Sequence, residues 1–443
     1  MSVNEEIREQ EGEIVDGLTA AEIEAQHPAD AAETIEGLDI HDQVKFIKQL
    51  PIKDAADSIA EMEDRDQKLL MEHLNHGLAA RIVEEMAPDD ATDLLEDLED
   101  DLQQAILKRV PEEERAELKT LLTFDPDTAG GVMNTEVVIL DQDLTPDEAI
   151  AKLREEVEDK EIPYYAYLTD KKDRLVGVIS LRDLLLAKRG IALKELVKTQ
   201  NLITVGYNID KEEVAHLIAH YNMLALPVVD FGNRLLGVVT VDDVIDIIHE
   251  EASEDMQTMV GAGADETTDS PVIFSVKKRI PWLIINVINS AVAAYVVHLF
   301  DATIAAMAIL AALMHIISNQ GGNTGQQALA VMIRQLAMEK FDRKKAWFAV
   351  FREIKIGTVN SGLISLLVLA AIVAATGDFM LATIMAISLV INMLVGAFAG
   401  AAIPLILKEI GRDPAQASSI FLTTITDTIG FWSFLGLAGI FLL

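Results

Sequence analysis

The sequence predicts a multidomain membrane protein: an α-helical superhelical N-terminal domain, an α/β tandem pair, a connecting helix and a five-helix all-α transmembrane domain. Three observations predict this order. Charge is partitioned: of 36 Lys and Arg and 72 Asp and Glu, only 9 and 8 lie beyond residue 280, leaving 27 basic against 64 acidic residues before it. Hydropathy is partitioned at the same place, since long apolar runs begin only there. Between the acidic and apolar parts, one segment repeats itself at a fixed offset. A chain of 443 residues is too long for one core, and the boundaries read 1–125, 126–252, 253–278 and 279–443.

The first of these domains reads as all-α over residues 20–123. "HPADAAETIEGL" (27–38), "LPIKDAADSIAEM" (50–62) and "APDDATDLLEDL" (87–98) share a Pro-led start, an acid in the first turn and Leu/Ile/Ala periodicity. Pro28 and Pro51, and again Pro88 and Pro111, are 23 residues apart. That spacing predicts a small superhelical repeat, a scaffold suited to a partner surface or a movable gate. The N-terminus, "MSVNEEIREQEGEIVDG", has neither a basic nor an apolar signal region, so no cleaved signal peptide is expected.

The excess of acid excludes nucleic acid as a partner, because a phosphate backbone needs Lys and Arg to neutralise it. It suits cation binding, solubility or a salt-adapted proteome. The absence of Cys excludes disulfides and thiolate metal sites and fits a cytosolic head. No HExxH, GxSxG or Walker A sequence occurs, so no enzyme is expected. His216 and His220 stand at helical i, i+4 spacing, but Leu217 occupies the position where a zinc protease carries Glu.

"LVGVISLRDLL" (175–185) and "LLGVVTVDDVI" (235–245) align at an offset of 60 residues, which pairs Gly177 with Gly237, Ser180 with Thr240 and Asp183 with Asp243. Each follows an amphipathic helix and a short β run. This β-α-β-β-α repeat resembles a tandem pair of CBS domains, in which the hydroxyl and the acid after the third strand grip a nucleotide ribose. The matching residues are Ser180 and Asp183, or Thr240 and Asp243, with Tyr165 and Arg182 nearby, and the resemblance implies ATP as a candidate ligand. Simple helix capping by the same residues is the other reading.

Next comes "VDDVIDIIHEEASEDMQTM" (241–259), helical in period and crowded with Asp242, Asp243, Asp246, Glu250, Glu251, Glu254 and Asp255. Such acids repel one another unless spread into water or neutralised, and carboxylate oxygens are what hard Mg2+ prefers. A solvated acidic helix and a regulatory metal site both fit.

Five hydrophobic spans follow, at 281–300, 303–335, 354–376, 379–407 and 415–443. "VKKR" (276–279), the second-to-third connection (Lys340, Arg343, Lys344, Lys345, Arg352, Lys355) and the fourth-to-fifth (Lys408, Arg412) are basic; the other two turns carry no Lys or Arg. By the positive-inside rule the head is cytoplasmic and the C-terminus faces out. Polar residues sit within the spans: Asn286, Asn289, His315, Asn392, the cluster "SNQGGNTGQQ" (318–327) and Asp427 in "TTITDTIGFW". Interhelical hydrogen bonding and the lining of a wet cavity are the two readings, with Gly321, Gly322, Asn323 and Thr424 as candidate lining. An acid at bilayer depth is costly, which makes Asp427 a functional candidate.

This order closely resembles the MgtE-type magnesium channel/transporter family over nearly the whole chain. The matching motifs are the junction at Ala129, Gly130 and Met133, the CBS pair, "GGNTG" (321–325), "GRDPA" (411–415) and "TDTIG" (426–430). One departure is "GQQ" where the family commonly reads Gly-Asn-Gln, which lengthens Gln326 by one methylene. The resemblance implies a homodimeric, plasma-membrane Mg2+ channel that closes when cytosolic Mg2+ is high. Its pore comes from the second and fifth spans of both subunits, with Asp427 and the Thr423 carbonyl beside a largely hydrated ion. It further implies regulatory Mg2+ at Asp89, Asp93, Asp243, Asp246, Glu251, Glu254, Asp255 and Asp413. Transport of Co2+ or Mn2+, Na+-coupled Mg2+ transport, and a non-transporting membrane-anchored nucleotide sensor are the alternatives.

Overall fold

Short helices with polar starts build the N-terminal part of the chain. In this computed structural model, residues 23–156, 165–188, 190–197, 202–264, 266–268, 270–338, 343–416 and 418–443 are described. The N-terminal segment 1–22 and Lys340 therefore lie outside the described residues. The chain divides into two compact units, Met1–Ile248 and His249–Leu443.

In the first unit, α1 (Pro28–Glu36), α2 (Ile40–Ile47), α3 (Ile52–Ala60), α4 (Asp64–His73), α5 (His76–Glu85), α6 (Pro88–Asp97), α7 (Asp100–Leu107) and α8 (Glu112–Leu121) follow one another closely. Pro28 and Pro88 occupy the first helical position, and Asp39 and Asn75 cap α2 and α5 through their side chains. Through most of the array each helix packs on the second one along, α1 on α3, α2 on α4 and α3 on α5, as a helical repeat requires. One continuous core, including Ile35, Phe46, Ile59, Met71, Ile82 and Leu95, runs through them.

The tandem pair follows. β1 (Ile139–Asp141), α9 (Pro146–Glu156), β2 (Tyr165–Thr169), β3 (Leu175–Ser180), α10 (Leu181–Leu186) and α11 (Leu193–Leu196) form the first repeat. β4 (Val205–Gly206), α12 (Lys211–Tyr221), β5 (Ala225–Val229), β6 (Leu235–Thr240) and α13 (Val241–Met259) form the second. In both sheets the first strand is parallel to the second and the second antiparallel to the third. The 60-residue offset extends to atomic detail. Tyr165 pairs with Ser180 as Ala225 pairs with Thr240, and Asp173 and Asn233 both adopt positive φ. The repeats join where Leu175 N–H donates to the Asn233 carbonyl (2.8 Å) and Asn233 Nδ2 donates to the Leu175 carbonyl (2.7 Å).

The second unit holds five long helices: α14 (Val272–His298), α16 (Ile309–Met338), α17 (Arg343–Thr376), α18 (Phe379–Glu409) and α19 (Ser418–Phe441), with a single-turn α15 (Asp301–Ala306) before α16. Four of the five are long and apolar enough to cross a membrane by length and composition; α16 has the length, but its Gly/Asn/Gln cluster lowers its apolarity. Two expected bounds change. The first span is a helix from Val272, because "VKKR" continues the helix that Pro271 opens. The second does not run unbroken from 303, since the backbone breaks between α15 and α16 at Met307.

The connecting helix expected at 253–278 is instead the C-terminal part of α13, which ends at Met259. Gly261, at φ +81°, then turns the chain against Trp282, where a Cβ would come within 2.9 Å. Glu266 is buried and bidentate to Arg279 (2.5 and 3.0 Å), an arrangement that holds its carboxyl down at about pKa 2. Ser419 Oγ donates to the Met259 carbonyl at 2.8 Å, so the end of α13 is bonded to the first turn of α19.

Candidate functional site

The acids of the first unit converge from α6 and α13. In α6 the apolar residues Ala91, Leu94, Leu95 and Leu98 face the core, which leaves Asp90, Asp93, Glu96 and Asp97 on the other side. Asp89 is itself buried and accepts from Asn134 Nδ2 at 3.1 Å. The Asn134 amide oxygen takes Glu136 N–H (2.7 Å), so its NH2 is the group left to face Asp89. Asn134 also exchanges both backbone hydrogen bonds with Val238 on β6, each 2.8 Å long. One residue thus ties the helical repeat, through its side chain, to the second CBS-like repeat, through its backbone. Sequence reading passed over Asn134, whose only signal is a polar residue between the junction and an apolar run.

Asp93 opens to solvent yet is crowded by protein. Desolvation first, then Glu96, Asp90, Asp243 and Asp64, push its pKa up to about 8. Asp243 is raised too, by burial and by Asp242 and Asp246, against the lowering effect of Thr240. Asp246 is exposed. In the second unit Glu251, Glu254 and Asp255 share one face of α13 at i, i+3 and i+4 spacing. Asp413 is exposed in the turn before α19, where its Oδ1 accepts Ala415 N–H at 2.8 Å. Among the described residues no three His, Asp or Glu side chains converge tightly enough to cage a metal ion.

A carboxyl raised in the folded state binds more protons there than in the unfolded chain across the interval from its ordinary value to about pH 8. The stability it allows is therefore complete below about pH 4 and is lost as pH rises through about 8. In chelator, the melting temperature of the full chain's head transition is expected to fall between pH 6 and 9. The slope should flatten in Asp93→Asn. An identical slope in that variant, followed by calorimetry, would show that Asp93 is not the group responsible.

The candidate nucleotide box is assembled in both repeats. Ser180 caps α10: its Oγ accepts Asp183 N–H (3.0 Å) and donates to Asp183 Oδ2 (2.8 Å). Tyr165 stands directly across from Ser180, while Arg182 and Asp183 are exposed on the first turn of α10. In the second repeat the Thr240 hydroxyl donates to Asp243 in the same way.

In the second unit Asp427 is half-buried on α19, and Ser318 Oγ on α16 donates to its Oδ1. Around it Thr423, Thr424 and Thr426 turn inward to their own helix. Thr423 donates to the Ser419 carbonyl (2.8 Å), Thr424 to Ile420 (2.9 Å), and Thr426 to both Leu422 and Thr423 (3.2 and 3.1 Å). The Thr424 hydroxyl, a candidate lining group, is half-buried and bonded within α19. The Thr423 carbonyl, too, already accepts one hydrogen bond.

Asn323 is exposed and donates to Asn319 Oδ1 at 3.4 Å; with His315, Gln326 and Gln327 it forms an exposed polar stretch of α16. Gly322 lies near Thr426, 3.9 Å from a Cβ position to its hydroxyl. Gly321 packs closely against α18. A Cβ there would come within 2.1 Å of Asn392 on α18, and Gly396 and Gly400 of α18 press equally closely on the carbonyls of Gly321 and Gly325. Two small-xxx-small faces bring these backbones together.

Three family models match the chain in order: the MgtE intracellular N domain over residues 26–127, the CBS domain over 129–190 and 193–250, and the divalent cation transporter MgtE over 314–437. The chain is 33% identical over 329 residues to the magnesium transporter MgtE of Bacillus subtilis, an overlap of 74% of this chain and 73% of that one. It is 34% identical over 332 residues to the magnesium transporter MgtE of Thermus thermophilus, with 74% and 73% covered. The crystal structure of the cytosolic domain of the Mg2+ channel MgtE in complex with ATP is also similar. It shares 34% identity at a TM-score of 0.50, over 52% of this chain and 93% of that one.

Proposed function

The chain belongs to the MgtE family of magnesium transporters, and on that premise we propose that it is a Mg2+ channel whose ion site is built around Asp427. The observation that carries the reading is the Ser318–Asp427 bond beside an exposed polar stretch of α16. Hydrocarbon solvates neither a carboxylate nor the amides of Asn319, Asn323, Gln326 and Gln327. A second copy of the chain and a file of water between the copies satisfy them, so the functional unit is a homodimer in the plasma membrane. Basic connections put the acidic head in the cytoplasm and the C-terminus outside. Reconstituted in liposomes, the full chain is expected to pass Mg2+ in preference to Co2+ and Mn2+. Equal fluxes for the three would reduce it to a general divalent cation transporter.

The head supplies regulation. Asp89, Asp93, Asp243 and Asp246, followed along the chain by Glu251, Glu254, Asp255 and Asp413, hold hydrated Mg2+ when its cytosolic concentration is high. Neutralised, they favour the closed channel; unneutralised, their repulsion favours the open one, a population shift driven by differential metal affinity. The raised pKa of Asp93 supports this, because it marks a place where negative charge lacks compensation.

ATP fits the first repeat. Asp183 is exposed to accept two ribose hydroxyls, Tyr165 offers a ring beside them, and the similar cytosolic domain was crystallised with ATP. In titration calorimetry on the full chain, Asp183→Ala is expected to weaken ATP binding at least about tenfold, as loss of hydrogen bonds to a charged acceptor does. Unchanged affinity would leave the box as a helix cap.

A further inference from the structure

Asn392 is fully buried in the middle of α18 and takes no part in the ion site as described so far. Its Nδ2 donates to the Ile317 carbonyl of α16 at 2.8 Å, one residue before the serine that holds Asp427. Two glycines make room for it, one on each helix of the ion site. A Cβ at Gly321 would lie 2.1 Å from Asn392 Nδ2, and one at Gly430 2.7 Å from the same atom. Gly321 is one helical turn beyond Ile317, and Gly430 is three residues beyond Asp427. The amide is therefore a spacer set into a notch between α16 and α19, fastened to the backbone that carries Ser318. Its Oδ1 accepts no hydrogen bond from any described residue, so the donor side alone anchors it.

We propose that Asn392 is a positioning residue: by holding the Ile317 carbonyl it sets the approach of Ser318 to Asp427, and through it the ion preference of the channel. This rests on the reading of Asp427 as the ion site. Ser318 takes one oxygen of Asp427 and leaves the other to the hydrated ion, so the orientation of the carboxylate follows the placement of α16. A close-packed interior transmits such a shift because it has no slack to absorb it.

The test uses the full chain in liposomes, with Mg2+ flux read against Mg2+ concentration and against Ca2+. Asn392→Ala is expected to raise the half-saturating Mg2+ about tenfold, the size of losing the Ser318–Asp427 hydrogen bond that it positions, and to lower the Mg2+ to Ca2+ ratio. Ser318→Ala should give the same shift, and the double variant no more than either alone, because both act through one contact. Gly321→Ala is an independent lever, since the three atoms nearest its methyl all belong to the Asn392 amide; it should reproduce the shift if Asn392→Ala does not fold. An unshifted half-saturation and ratio in either folded variant, or full additivity in the double, overturns the proposal. Asp427→Asn is measured in parallel. Wild-type flux there defeats the underlying reading, whereas lost flux there with an unshifted Asn392→Ala defeats only the positioning role.

Discussion

Asp427→Ala is expected to abolish Mg2+ flux while leaving the head's melting transition where it was. A divalent ion about 5 Å from a carboxylate, at an effective dielectric constant of about 20, gains roughly 6 kcal/mol from it. Losing even half of that, after the ion's waters readjust, lowers occupancy more than a hundredfold. The informative companion is Asp427→Asn, which still offers Ser318 an acceptor and keeps the side chain's shape. If the carboxylate served only as a hydrogen-bond partner between α16 and α19, the amide would conduct normally. Equal loss in both variants, measured as Mg2+-dependent current, assigns the effect to charge. Retained current in Asp427→Ala would sink the pore assignment.

The second large effect concerns inhibition rather than conduction. Neutralising Asp243, Asp246 and Glu251 together (D243N, E251Q and D246N) should leave the channel open at cytosolic Mg2+ concentrations that close the unmodified protein. The reason lies in the carboxylates themselves. Burial raises the cost of ionising both Asp93 and Asp243; Asp243 adds to that of Asp93, and Asp242 and Asp246 add to that of Asp243. On the proposed reading Mg2+ would bind because it relieves that cost, and once the amides have relieved it nothing would be left for the ion to do. Single-channel recording with Mg2+ varied on the cytoplasmic face reads this directly. Inhibition that persists unaltered in the triple variant would remove the sensor reading and leave a solvated acidic helix.

Much of the architecture was legible because it repeats. A 60-residue offset carries Ser180 onto Thr240 and Tyr165 onto Ala225, and sheet register preserves such offsets residue by residue. The start of α14 was not legible: hydropathy reports where lipid begins, whereas the helix starts at its Pro271 cap and runs through four polar residues first. The packing of Gly321 was not legible for a related reason. A glycine at membrane depth marks a gap, and the sequence does not say whether water or another helix fills it; here Asn392 does. Asn392 itself, 75 residues from Ile317, gave no local sign of its partner, and Ser318 is one hydroxyl in a polar run. Asp427 could be singled out because a lone acid in an apolar helix is rare enough to need an explanation.

The capping box shared by the two repeats has an evolutionary consequence. Duplication provided two copies of one hydroxyl–carboxylate pair, and the copies now sit in different surroundings. Asp183 is exposed at the start of α10, while Asp243 is half-buried and electrostatically crowded at the start of α13. On the proposed reading, one repeated acid would serve twice, an organic ligand in one copy and an inorganic cation in the other. If the proposed ligands bind as argued, such a division of labour would let one gene report on two features of the cell's interior without a second sensory domain.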